Sequence, residues 1–321
     1  MENAMRPFFR LKANFDGLIA TMGWVAATVT LAGFAGRAHW LLDLCTHFRA
    51  QYLLALLAAS ILLARRLPRQ ALAFALLALL NAAILLPMFL PRATPAAGIT
   101  PAIRAMLMNV NTYDGSPPRV AAAIAEFHPD ILVLIEVSPL WLESLAPALT
   151  NFSQRLAEPR DDNFGIALYS RFLWTNAAPH LIGAAGVPTL RATIDTPDGP
   201  VTIIATHPVP PGGAQYSAWR NDQLARLPSL VHAPPAPVLL LGDLNTTPWN
   251  FYFNRLLRDA GFHDSARGRG LHPTWPVGVP LLWIPLDHCL HSPEIAIAAR
   301  TVGPDVGSDH YPLIVDFCLK K

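Results

Sequence analysis

Charge is scarce in this sequence, and cysteine more so. Asp, Glu, Lys and Arg make up 14% of the 321 residues against 52% hydrophobic, which is high in apolar content for a soluble chain. There are three cysteines, Cys45, Cys289 and Cys318, and no spaced Cys/His set of the zinc type. Cys289 and Cys318 fall in strand-like surroundings, where buried free thiols are expected over a disulfide. Internal repeats are missing, as are low-complexity tracts outside the apolar runs. The larger part of the chain also lacks a basic excess. Nine of the 24 Lys/Arg and three of the 22 Asp/Glu lie in residues 1–92, which leaves 15 basic and 19 acidic residues for 93–321. That balance gives no bulk electrostatic footprint for nucleic acid.

What is present first is a set of three apolar segments. Residues 17–36 and 71–91 carry no charge over 20 and 21 positions, each long enough to cross a hydrocarbon core of about 30 Å as a helix. Residues 50–64, at 15, either recruit 47–49 and cross or form a partly inserted arm of a hairpin closed at Arg65-Arg66-Leu67-Pro68-Arg69. A cleaved signal peptide explains the first segment less well, because it exceeds the usual apolar length and further spans follow. Arg6, Arg10 and Lys12 precede the first segment and Arg65, Arg66 and Arg69 lie between the second and third, so the N-terminus is expected in the cytoplasm. Three crossings would place the rest in the periplasm or outside the cell, whereas two, with the middle segment not crossing, would place it in the cytoplasm. No acid lies in these segments, which argues against a transporter.

Residues 93–102 read as a Pro/Ala/Gly linker. From 103 to 321 the pattern alternates: strands are expected at 103–110, 131–135, 165–170, 191–195, 201–206, 238–241, 283–290 and 313–318, with helices at 118–127, 139–150, 215–227 and 251–260. Several strands follow one another without a helix between them. That order predicts an α/β domain of mixed sheets packed face to face with helices outside.

The strand ends carry the chemistry. The run 238–241 (VLLL) breaks into Gly242-Asp243-Leu244-Asn245, and in an extended chain Asp243 and Asn245 point to the same side. Asn109 and Asn111 close the first strand, Glu136 the second, and His207 follows 201–206. Asp287-His288 interrupts an apolar stretch, and Ser308-Asp309-His310 precedes the last strand. Singly, each reads as well as a turn or a cap. Together they are costly at the mouths of buried strands unless paired or metal-bound. Carboxylates with amide oxygens suit Mg²⁺ or Mn²⁺, and His beside Asp supplies a base and a phosphate contact. The set describes metal-assisted phosphoester hydrolysis.

The pieces MNVN (108–111), DILVLIEV (130–137), FGIALYSR (164–171), ATHP (205–208), LLLGDLNTTP (239–248), PTWP (273–276), LDHCL (286–290) and GSDHYPLIVDF (307–317) together resemble the endonuclease/exonuclease/phosphatase superfamily, in that family's order. The resemblance implies a four-layer α/β/β/α sandwich of two mixed sheets, preceded here by the N-terminal transmembrane helical region. It implies Glu136 as the main metal ligand, helped by Asn109 and Asp309. His310 is then the base or charge-stabilising group, held by Asp287, while Asp243 orients or deprotonates water. Asn245 and His207 hold phosphate oxygens. Two positions depart from the DNA-repair members, which have a carboxylate in place of Asn111 and a Tyr-containing loop in place of His207; the chain is closer to the phosphodiesterase, nuclease and sphingomyelinase-like branches. Trp275 is expected in the core.

The expected protein is thus a membrane-anchored, Mg²⁺- or Mn²⁺-dependent phosphodiesterase of the inner or plasma membrane. Its substrate is a phospholipid head group or a nucleic acid, the latter by way of Arg255, Arg258 and Arg267–Arg269. No obligate protein partner is evident. The rival is a catalytically silent binding or scaffold protein of the same fold.

Overall fold

Four helices come first. The structure, a computed structural model, describes residues 15–91, 103–231 and 236–320. The linker expected at 93–102 and the residues Arg6, Arg10 and Lys12 lie outside the described residues. Ala- and Leu-rich sequence forms α1 (Phe15–Ala32), α2 (Trp40–Leu44), α3 (Arg49–Leu63) and α4 (Pro68–Leu85), the last with Pro at its first turn, where its missing N–H costs nothing. Short 3₁₀ turns extend α1 and α4, so Phe15–Ala35 and Pro68–Met88 are each 21 residues and apolar enough to cross a membrane. α3, with 15 residues, is shorter.

α1, α3 and α4 pack together through Ala26, Ala27, Leu56, Ala59, Leu63, Phe74 and Ala78. Gly23 makes this approach close: a Cβ there would lie 2.6 Å from the Phe74 ring. At one end of the bundle Arg66 pairs with Asp16 at 2.8 Å. Further along, the Arg49 guanidinium donates to Thr30 O at 2.7 Å and to Asn81 Oδ1 at 3.3 Å, and Asn81 Nδ2 donates to Thr30 Oγ1 at 2.9 Å. Buried polar groups that satisfy one another in this way fix the register of three apolar helices that packing alone leaves free to slide.

The remaining elements, in chain order, are β1 (Ile103–Asn109), α5 (Pro117–Phe127), β2 (Ile131–Ile135), α6 (Pro139–Leu145), β3 (Gln154–Glu158), β4 (Ile166–Ser170), β5 (Trp174–His180), β6 (Thr189–Thr196), β7 (Gly199–Thr206), α7 (Ala214–Arg226), α8 (Pro228–Val231), β8 (Val238–Asp243), α9 (Phe251–Ala260), β9 (His263–Asp264), β10 (Asp287–His291), β11 (Ile295–Val302) and β12 (Leu313–Leu319). They build two six-stranded sheets, ordered β11-β12-β1-β2-β4-β3 and β5-β6-β7-β8-β10-β9. β1 and β2 pair in parallel, as do β7 and β8, and the other pairs are antiparallel. Both sheets are therefore mixed.

Alternation along each strand divides the layers. Ala105, Leu107, Ile131 and Val133 face the second sheet, with Ile203, Ala205, Leu239 and Leu241 opposite. Met106, Met108, Leu132 and Leu134 face outward and are covered by α5 and α6 through Val120, Ile124, Trp141 and Leu145. On the other side Ile204, Leu240 and Leu290 meet Leu224, Phe253 and Leu257 of α7 and α9. The result is the four-layer sandwich implied by the sequence. Cys289 sits in one sheet and Cys318 in the other, both buried and free.

The strand expected at 283–290 begins later, at Asp287, because Pro280–Leu282 is a 3₁₀ turn and the next residues form a cavity wall described below. The stretch between the first two apolar segments is not a plain loop. Asp43, on α2 and outside either long apolar helix, is buried against the sandwich: Arg220 Nη2 and Asn250 Nδ2 both donate to its carboxylate. Trp249 Nε1 donates to His47 O at 3.2 Å, Gln51 Nε2 to Trp283 O at 2.9 Å, and Gly270 N to Met88 O at 2.8 Å. The helical region is thus docked on the α/β domain.

Candidate active site

Topology brings the polar strand ends to one rim. β1 and β2 run parallel with Asn109 level with Ile135, so Glu136 follows one residue beyond. β12 is antiparallel to β1 and starts where β1 ends, which sets Asp309 and His310 at the same edge. In the second sheet Asp243 ends β8 directly opposite Asp287, the first residue of β10. His207 follows the parallel neighbour β7. Gly242 permits this closeness, since a Cβ there would sit 2.0 Å from Thr206 O.

β1 lies between β2 and β12, and its end holds a carboxylate from each neighbour. Asn109 Nδ2 donates to Glu136 Oε1 at 2.8 Å, and Asn111 Nδ2 donates to Asp309 Oδ1 at 3.1 Å. Trp275 Nε1 donates to Asp309 Oδ2 at 3.0 Å. Trp275 is therefore half-buried in the site, not in the core where the sequence put it; the indole has a polar handle and the carboxylate uses it. Glu136, Asn111 and Asn245 all have positive φ, at 61°, 53° and 49°. Backbone held in this region is strained for non-glycine residues and collects at functional sites.

An imidazole from the first sheet meets two carboxylates of the second. His310 Nδ1 is 2.8 Å from Asp287 Oδ2, and His310 Nε2 lies 3.7 Å from Asp243 Oδ2. His310 thereby bridges the two sheets. His207 has Nε2 3.6 Å from Glu136 Oε1 and Nδ1 3.8 Å from Asp243 Oδ2. Asn245 N donates to Asp243 Oδ1 at 2.8 Å, and Asn245 Nδ2 to Pro208 O at 2.9 Å. Thr274 Oγ1 accepts from Asp287 N at 3.1 Å and fixes the start of β10.

Three of these groups are buried and shift one another. Burial pulls His310 down, but the charges of Asp287 and Asp243 outweigh it and raise the imidazole to about 10. Burial would raise Asp287, yet the His310 cation and its hydrogen bond leave that carboxyl below its usual value. Asp243 is raised to about 6 by burial, with the Asp287 charge adding to the rise and His310 and His207 opposing it. Near neutral pH this arrangement holds a protonated imidazole beside a carboxylate able to take a proton.

A cavity of about 530 Å³ opens over these groups. Glu136, His207, Asp243, Asn245, Asp309 and His310 line it, while Asn109 and Asp287 stand behind Glu136 and His310. Its other side is apolar and includes Leu44, Phe48, Ile284 and Leu286. Sequence reasoning missed Asn111 and Trp275 as holders of Asp309, and it missed Leu44, His47 and Phe48 altogether. The adjacency of Asn111 to Asn109 was the available signal for the first. Nothing local marks residues 44–48, which reach the site only because the helical region docks there.

His47 is buried, with Nδ1 3.1 Å from Thr247 Oγ1. Burial first, then the Arg220 charge, lower it from 6.5 to about 4. A histidine lowered in the folded state stabilises fully above its unfolded value and loses that contribution as the pH falls to the folded one. Going from pH 7 to 4.5 is expected to cost up to about 3 kcal/mol through this group. His47→Asn should lose less over the same range; urea midpoints at the two pH values check it.

The donor set fits a divalent ion. Asp243, Asp287 and His310 offer atoms within 4.8 Å of one another, but Asp287 and His310 are already bonded to each other. Glu136 and Asp309 are carboxylates facing one cavity, and each oxygen has lone pairs beyond the hydrogen bond it accepts. Hard oxygen donors of this kind suit Mg²⁺ or Mn²⁺.

A profile described as the Endonuclease/Exonuclease/phosphatase family matches residues 106–310, well over half of the chain. The chain belongs to this family. Its members are phosphoesterases that typically use divalent metals, so the site's chemistry is phosphoester hydrolysis. Among solved structures, an endonuclease/exonuclease/phosphatase from Beutenbergia cavernae DSM 12333 is similar at 22% identity and TM-score 0.55, covering 68% of this chain and 72% of that one. The human Nocturnin catalytic domain with bound sulfate matches at 20% identity and TM-score 0.57, over 70% and 97%. A mannosyl-6-phosphatase of Bacteroides thetaiotaomicron VPI-5482 matches at 16% identity and TM-score 0.55, over 68% and 100%. At these identities the likeness is one of fold. No curated protein matches the sequence.

Proposed function

We propose that the chain is a membrane-anchored, divalent-metal-dependent phosphodiesterase whose α/β domain faces away from the cytoplasm. The observation that carries the hydrolytic reading is the Asp287–His310 hydrogen bond at 2.8 Å with Asp243 beyond it. The rim of Glu136 and Asp309 faces the same cavity.

In this reading Glu136 and Asp309, with the Asn109 amide, hold Mg²⁺ or Mn²⁺. The ion, when bound, acts as a Lewis acid that stabilises charge on the phosphoryl oxygens. Asp243 takes a proton from water as the water oxygen bonds to phosphorus and the ester P–O bond breaks, and the leaving oxygen departs as the alcohol by taking a proton from solvent in the open cavity. His310, kept protonated by Asp287, balances the negative charge that develops. His207 and Asn245 orient the phosphate oxygens.

The orientation rests on the bundle. Arg65, Arg66 and Arg69 cap the end marked by the Arg66–Asp16 pair, whereas the domain contacts the other end through Asp43, His47, Gln51 and Met88. With the arginine-rich turn in the cytoplasm, α3 returns between α1 and α4 and the domain lies on the far side. Lipid is favoured over nucleic acid because one cavity wall comes from the helical region. Two of the expected nucleic-acid arginines are engaged elsewhere, Arg255 with Asp259 and Arg269 with Ser265 O and Ile297 O.

The test is turnover by the full-length chain of a phospholipid, plasmid DNA, RNA and a soluble phosphodiester. Chelator is expected to reduce the rate at least 100-fold, and added Mg²⁺ or Mn²⁺ to restore it. Chelator-insensitive turnover would remove the metal from the reading. A folded chain that cleaves none of the four would favour the silent binding protein.

A further inference from the structure

A second space, a groove of about 420 Å³, lies beside the active cavity between α3 and the segment 271–285. Its lining is nearly all apolar and includes Ala50, Leu54, Ala55, Trp249, Leu281 and Trp283. Leu281 and Leu54 are 83% and 65% exposed. Large aliphatic side chains bared together beside an apolar helix mark a surface that meets something apolar.

The groove and the active cavity share a wall one chain thick. Along 283–286 alternate residues face opposite sides, as in any extended chain: Trp283 and Pro285 line the groove, Ile284 and Leu286 the cavity. On the helical side His47 and Phe48 line the cavity, and Ala50 and Gln51 line the groove. The Gln51 Nε2 bond to Trp283 O joins the two sides of this wall. Gln51 Oε1 is buried there without a partner.

The order along α3 gives the level of each space. The active cavity begins at residues 44–48, before α3 starts, and the groove runs from residue 50 to 55 down the helix. Gly270, just ahead of the groove-lining segment, bonds Met88 at the end of the long apolar helix. A lipid standing in the outer leaflet has its head group at the level of the cavity and its chain at the level of the groove. The groove opens on the same face of α3 that Leu54 exposes.

We propose that this groove takes one acyl chain of a membrane lipid whose phosphoester lies in the active cavity, which makes a membrane lipid the substrate class. The inference rests on the hydrolase reading above. The wall at Gln51 and Trp283 is where the lipid's backbone passes.

The test uses the full-length chain in vesicles of phosphatidylethanolamine and phosphatidylglycerol that contain a phospholipid with a photoactivatable acyl chain. Adducts are mapped by peptide, and hydrolysis of vesicle phospholipid is compared with that of bis(p-nitrophenyl) phosphate. The wild-type chain should be labelled within 271–285. Ala55→Phe, which fills the groove, should reduce that labelling about tenfold, while adducts at Leu72 and Leu79 on the outer face of α4 stay as they were. The ratio of kcat/KM for lipid over soluble diester should fall about tenfold as well. Leu281→Gln, on an exposed side chain, is the second variant and should move both readouts the same way. If the soluble diester is cleaved but neither variant changes the labelling or the ratio, the groove inference is overturned and the hydrolase reading stands. If the folded, metal-supplied chain cleaves neither substrate, the hydrolase reading fails and takes this inference with it.

Discussion

His310→Gln is expected to lower kcat about 1000-fold, within the usual range for loss of a positioned acid-base group. His310 enters from the start of β12 in the first sheet and meets two carboxylates of the second, with Asp287 at one nitrogen and Asp243 facing the other. Glutamine keeps a donor near Asp287 but carries no charge. Asp287→Asn should approach the same loss, because the imidazole is then no longer held charged in a buried place. The pH profile separates the roles. Activity should rise as the pH passes about 6, where Asp243 loses its proton, and fall towards 10, where His310 loses its own. Asp243→Asn removes the acid limb and His310→Gln the alkaline one. Steady-state rates on a soluble diester between pH 5 and 10 check all three.

Breaking the Asp43–Arg220 pair should destabilise the folded chain by about 3–5 kcal/mol, the usual cost of leaving a buried charge uncompensated. Both side chains are fully buried, and Arg220 Nη1 also donates to Asn245 O at 3.0 Å. One guanidinium thus ties α2 of the helical region to the loop that carries Asn245. Arg220→Met or Asp43→Asn should each lower Tm by about 4–7 °C in a chain of this size. The double substitution should be less harmful than the two single effects added together, because no unpaired charge is left in it. Either single variant should also lose activity, since the backbone beside Asp243 loses a holder. Thermal unfolding of the four proteins closes the cycle.

Much of this was legible before folding, and the misses share a physical cause. The strands read from the sequence are the inner strands of both sheets, where burial on two faces leaves a continuous apolar run, as in 131–135 and 238–241. The four strands not read, β3, β5, β9 and β11, are the four sheet edges. Three of them are partly exposed and short of apolar signal, as in β5, which reads WTNAAPH with a bulge and a proline, whereas β11 (IAIAARTV) is apolar and was passed over all the same. The residues that meet at the rim were visible because an ionisable group directly after an aliphatic run is unusual wherever it occurs. Trp275 was misplaced because an indole in an apolar context looks like core until the carboxylate at its nitrogen is seen. Asp43 and His47 had no local mark, since their meaning depends on an interface between segments some 200 residues apart.

The measurement that tests the central claim most directly is hydrolysis of a soluble phosphodiester by the full-length chain with Mg²⁺ in ¹⁸O-labelled water, alongside His310→Gln and a chelated sample. Water attack on phosphorus predicts one labelled oxygen in the phosphomonoester, none in the released alcohol, and product near background in both controls. Label in the alcohol, or product formed as fast in the folded His310→Gln protein as in the wild type, would contradict the account.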